Sequence, residues 1–187
     1  MNLIMKLEKG LFDVRQQKLQ FERGKCLICV NESDVRLENE GGTEKLCYSY
    51  DMAWVDASNE AQAVENLKKR LLDEITAYDM SGSVNSFKLN GLSVWLDKGT
   101  RVGLMNSTQI GKAAGNESTT LWLGNNSLTI LCDKAIELLS ALEMYALACY
   151  NVTAQHKANV NTLTDIESIV NYDYTSGYPE KLDLKTY

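Results

Sequence analysis

The chain has 187 residues, 44% hydrophobic and 24% charged, with a formal net charge of −6. That length suits one domain or two small ones with a real core, and the acidic balance argues against a nucleic-acid backbone as the main partner. Its single histidine makes a histidine-based metal site or a Cys–His nucleophile pair a poor expectation.

The opening MNLIMKLEKG carries Lys6, Glu8 and Lys9 inside its only apolar run, unlike a signal peptide, and no later run approaches the length of a membrane span. The expectation is a cytoplasmic chain whose five cysteines, an odd number, stay reduced. Residues 1–57 read as β. Lys18–Phe21 leads to a turn at Arg23-Gly24, and Lys25–Val30 is short and apolar, as a buried strand is. Asp34–Glu38 alternates polar and apolar, Asn39–Gly42 is a turn, and Lys45–Tyr50 is the next strand. Such a meander is too small to stand uncovered.

From Asn59 to Tyr78, residues Ala61, Val64, Leu67 or Lys68, Leu71, Leu72, Ile75 and Tyr78 recur at helical spacing behind Ser58 as N-cap, predicting a helix across that sheet. Asp79–Ser83 is the expected domain boundary. Beyond it Asn90-Gly91 separates Ser86–Leu89 from Leu92–Leu96, the strongest short-range hairpin signal, since both turn positions need positive φ. Thr100–Gly115 is weakly helical with Thr100 as cap. A second hairpin pairs Thr119–Leu123 with Ser127–Leu131 about Gly124–Asn126. Asp133–Leu163 then places Ala135, Leu139, Leu142, Ala146, Cys149, Thr153, His156, Val160 and Leu163 in alternating steps of three and four, the seam of one long helix capped by Asp133. Small residues in that seam favour an intramolecular spine over a coiled-coil strand, although self-association would use the same face. Thr164–Glu167 is a capping box for a short last helix to Tyr172, and the Tyr174–Pro179 turn is expected to fold back on the spine. The predicted fold is α+β: an N-terminal antiparallel meander with its helix (1–79), then two hairpins packed on the long helix 133–163 (80–187).

Chemistry-bearing motifs are sparse. Cys26 and Cys29 have redox or half-zinc-site spacing, but in a strand they face opposite sides and no second Cys pair exists, so they read as buried apolar residues. His156 reads as a packing residue of the seam. Arg101 either binds an anion or, preferably, pairs with a carboxylate such as Asp97. No nucleophile elbow, phosphate loop or zinc-protease motif occurs. A hydrolytic site would have to draw on Asp79, Asp97 and Asp173. The tyrosines and tryptophans of the second half divide between core and anchoring patch.

One ordered set of features resembles a family of C-terminal domains in bacteriophage and prophage tail modules, most of all the version in phages of gut Bacteroidetes. It runs from Tyr78 to Lys181 through Ala77–Ser81, Val84–Phe87, Asn90-Gly91, Trp95–Lys98, Thr100-Arg101, Thr119–Leu123, Leu139 to His156 with Glu143 and Tyr145-Ala146, and Tyr172–Pro179. The resemblance implies a non-enzymatic structural or adaptor protein at a fibre or baseplate, in the host cytoplasm during assembly and then in the virion tail. Its alternatives are a tail-fibre assembly chaperone and a small tail-tip hydrolase or carbohydrate-binding factor. It implies partners among tail and tail-fibre proteins, and no catalytic residue, cofactor or metal. Tyr145 and Val152 on the outer helix face, with Tyr174 and Tyr178 in the terminal turn, are the candidate partner-binding residues. The N-terminal sheet, outside the resemblance, is a candidate attachment module.

Overall fold

The computed structural model describes residues 5–38, 42, 44–124 and 126–186. The fold is α+β, as expected. Two compact units share the chain: Met1–Glu74 with Ala158–Tyr174, and Ile75–Lys157 with Thr175–Tyr187. Instead of one cut near residue 80, the chain changes unit inside two continuous helices, because neither helix has a breaker there.

In the first unit, β1 (Glu8–Phe12), β2 (Leu19–Glu22), β3 (Lys25–Glu38) and β4 (Glu44–Asp56) form an antiparallel sheet in the order β1-β4-β3-β2. The two strands expected between residues 25 and 38 are one, with a register shift between Val30 and Ser33 where Asn31 takes φ 53°. Asn tolerates that left-handed backbone better than most side chains. Its amide donates to Asp51 Oδ2 at 3.0 Å and exchanges hydrogen bonds with the Asn171 amide. The turn expected at 39–42 lies mostly outside the described residues. β1 had no alternating pattern to announce it, and by pairing with β4 it makes β4 internal.

Register then decides the faces. Cys26, Ile28 and Val30 lie opposite Val55, Ala53 and Asp51, and all six are buried on one side. In the same unit α1 (Glu60–Asp79) buries Ala63, Leu67 and Leu71 fully, and Val160, Ile166, Ile169 and Val170 are buried as well. Each large member of that set contributes about 2 kcal/mol relative to exposure. The buried face of α1 is thus the stripe Ala63, Leu67, Leu71 and Ile75, offset from the expected Ala61 and Val64. Asn59 caps the helix in place of Ser58, its Oδ1 accepting from the Gln62 amide at 3.0 Å. In α4 (Ile166–Val170), Asp165 replaces Thr164 as cap, and the helix stops short of Tyr172.

In the second unit, β5 (Phe87–Leu89) and β6 (Leu92–Val94) make the expected Asn90-Gly91 hairpin, with φ 50° and 84° at the turn. The C-terminal β9 (Asp183–Leu184) joins β5 in parallel, an unannounced third strand. The second hairpin is β7 (Ser118–Leu123) with β8 (Asn126–Leu131). The long helix α3 (Cys132–Thr162) agrees with the expected 133–163 to within a residue at each end, but Asp133 sits in its first turn, ion-paired with Lys112, and not at its cap. Eight of the nine seam positions are buried, Ala135 to Val160. Within this unit Ala135, Leu139, Leu142, Tyr145 and Cys149 close a core with Val84, Phe87, Leu89, Val94, Leu96, Leu121 and Leu123. Over its best window α3 has mean hydropathy 1.2, long and apolar enough to cross a membrane, although the seam buries 39% of that window inside the chain.

Candidate binding surfaces

The second unit contains a cleft of about 510 Å³ lined by the end of α1, the segment after β6, the helix α2 (Lys98–Ala113) and the middle of α3. Local sequence explains how it is built. Asp97 caps α2, accepting from the Thr100 amide at 2.9 Å and the Thr100 hydroxyl at 2.6 Å. Those donors hold the Asp97 carboxyl below its ordinary range. The expected cap Thr100 is therefore a donor to the true one. One turn into α2, Arg101 is buried: its Nη1 donates to the Leu96 carbonyl at 2.8 Å and its Nε to Glu143 Oε1 at 2.7 Å. Its partner is thus Glu143 on α3, not Asp97. Glu143, Ala146, Leu147 and Tyr150 line the cleft at helical spacing from α3.

Asp79 and Asn85 complete the polar lining. The Asn85 amide nitrogen donates to the Asp79 backbone carbonyl at 2.6 Å, and Asp79 Oδ1 accepts from the Thr153 hydroxyl at 2.7 Å. Asn85 Oδ1 is buried without a hydrogen-bond partner. Around these groups Met80, Trp95, Leu147 and Tyr150 remain exposed, Trp95 at 43% and Tyr150 at 61%. Of the three carboxylates considered from sequence, Asp79 and Asp97 line this cleft while Asp173 belongs to the other unit. Glu143 is the third carboxylate of the cleft, and its seam-adjacent spacing was the available signal.

The first unit carries a different surface. The even-numbered residues of β4, Leu46, Tyr48, Tyr50, Met52 and Trp54, share the face opposite the buried one, beside Leu27 and Cys29 of β3. The segment before β2 covers its middle. The Gln16 amide donates to the Tyr50 hydroxyl, which donates to Glu32, and Phe12 meets the Tyr50 ring edge-on. Its ends stay open, with Leu46 at 44% and Trp54 at 53% exposure. β4 is therefore apolar on both faces, which a one-wet-face meander does not require.

The four residues singled out for partner binding separate. Tyr145 is buried, donating to the carbonyls of Val84 at 2.7 Å and Ser86 at 3.2 Å, and burial pushes its phenol up to about 12. Tyr174 is also buried. Both are core residues and not docking residues. Val152 is half-buried beneath the terminal turn at Gly177, and Tyr178 packs against Tyr78 and His156 while its hydroxyl meets Thr153 at 2.9 Å. His156 Nε2 contacts the Ser176 carbonyl at 3.0 Å. The terminal turn thus folds onto α3 as expected, and it uses these residues internally. All five cysteines are free and buried, and strand alternation puts Cys26 and Cys29 on opposite faces of β3. Burial raises both thiols. Among the described residues no three His, Cys, Asp or Glu side chains gather as metal ligands do.

No family model, curated protein or solved structure matches the chain.

Proposed function

We propose that this chain is a non-enzymatic adaptor of a phage or prophage tail, with its N-terminal sheet as the attachment module. The observation that carries the attachment role is the open β4 face: a sheet already covered on one side keeps Leu46 and Trp54 exposed on the other. Large apolar side chains left open at the two ends of a sheet face are candidate partner contacts, and tryptophan is the residue type most enriched where partners bind. The tail context comes from the ordered resemblance of residues 78–181. The partner is a fibre or baseplate component.

The test uses the full chain in an infected or induced host. Trp54→Glu, on the open face, is expected to leave far-ultraviolet dichroism unchanged and to remove the protein from purified tails, as read by mass spectrometry. A photo-crosslinker at position 46 should capture a tail protein. Recovery of the crosslinked complex in lysates but never in particles assigns the assembly-chaperone role instead. Normal incorporation of Trp54→Glu refutes the attachment surface.

A further inference from the structure

The cleft of the second unit is a separate feature, and its chemistry selects a class of ligand. Its charged lining is mixed: Asp79, Asp97 and Glu143 against Lys98 and Arg101. Arg101 is committed to Glu143 and the Leu96 carbonyl, and Asp97 to the start of α2. An anion entering here meets three carboxylates, and a cation meets a guanidinium and an ammonium, so neither sign is rewarded. A neutral ligand rich in groups that both donate and accept is rewarded, because the floor offers acceptors and donors held in place by their own hydrogen bonds. Asp79 and Glu143 carry carboxylate oxygens that can accept from such a ligand's hydroxyls.

The remaining lining is aromatic and apolar. Trp95 and Tyr150 both line the cleft and are exposed. Planar rings beside fixed polar groups suit a molecule with an apolar C–H face and a polar edge, which is the construction of a pyranose ring. The cleft volume, about 510 Å³, lies within the usual range for small-ligand sites. An extended peptide would dock by adding to a sheet edge, yet none of the lining residues is in a strand. We therefore infer that this cleft is a binding site for a neutral saccharide, with Trp95 and Tyr150 as stacking platforms and Asp79 and Glu143 receiving its hydroxyls.

This inference rests on the cleft alone and is independent of the attachment surface on β4. The experiment is titration of the full chain, by calorimetry and by ligand-observed NMR, with maltotetraose, cellotetraose, mannotetraose and chitotriose. At least one is expected to bind with Kd of about 1 mM or tighter. Trp95→Ala and Tyr150→Ala are each expected to weaken it about tenfold. Trp122→Ala, more exposed than Trp95 but outside the cleft, is expected to leave it unchanged, as is Trp54→Glu. Absence of binding across the four sugars overturns the inference, as does binding that survives Trp95→Ala or is lost equally in Trp122→Ala. Displacement of a bound sugar by a neutral peptide library at lower concentration assigns the cleft to a peptide and overturns it as well. Because Trp54→Glu reports on tail incorporation and Trp95→Ala on sugar binding, failure of one leaves the other standing.

Discussion

Replacing Arg101 by methionine isolates what the floor of the cleft contributes to the second unit. Methionine keeps most of the apolar stem, so the loss is confined to the guanidinium. Its Nη1 satisfies a buried Leu96 carbonyl at 2.8 Å, and leaving that acceptor unpaired costs about 1–3 kcal/mol. The Glu143 carboxylate loses its partner as well, but its side chain is 35% exposed. Water takes over much of that role, and the added cost is at most about 1 kcal/mol. The expected destabilisation is therefore about 1–4 kcal/mol, dominated by the carbonyl and not by the ion pair. Glu143→Gln, which keeps an acceptor for Nε, should cost under about 1 kcal/mol. Two compact units need not unfold together, so urea unfolding is followed by tryptophan emission in a Trp54→Phe background, where Trp95 and Trp122 report the second unit. If Arg101→Met falls within about 0.5 kcal/mol of the parent, or Glu143→Gln costs as much as it does, the carbonyl-centred account is wrong.

Tyr145 gives a pH-dependent prediction. Its phenol ordinarily titrates near 10.0 and burial raises it to about 12, so the folded state holds the proton longer than the unfolded one. Stability is full below about pH 10, falls as pH rises toward about 12, and that slope should flatten in Tyr145→Phe, measured by denaturation at stepped pH. The same variant should lose about 1–2 kcal/mol at neutral pH, since two carbonyls lose their donor. In the first unit, Asn31→Ala removes a donor to buried Asp51 and puts a Cβ-only residue at φ 53°. It should cost about 2 kcal/mol by urea unfolding followed at Trp54, with the second unit's transition unmoved.

Local chemistry explains which parts of the fold were legible. Asn-Gly at 90–91 dictates its own turn, and the three-and-four spacing from Ala135 to Val160 needs no neighbour to declare a buried helix face. Caps were displaced by one to three residues, Ser58 to Asn59 and Thr100 to Asp97, because Ser, Thr, Asp and Asn cluster at helix starts and only backbone geometry selects among them. Tyr145 is ambiguous in the sequence for a related reason. It lies one position from Ala146 on the seam, and only the carbonyls of Val84 and Ser86 show that its hydroxyl has a buried destination.

The sequence by itself determined the class of the fold, the two hairpins, the spine helix and the buried setting of the Cys26 and Cys29 thiols. These follow from periodicity and turn chemistry, which act over a few neighbouring residues. Tertiary structure alone decided that β1 pairs with β4, that β9 returns to β5, and that Asp79, Asn85, Trp95, Arg101, Glu143 and Tyr150 share one cleft. Those outcomes depend on contacts between residues far apart in the chain, where no periodic signal carries the pairing and only the packed core fixes it.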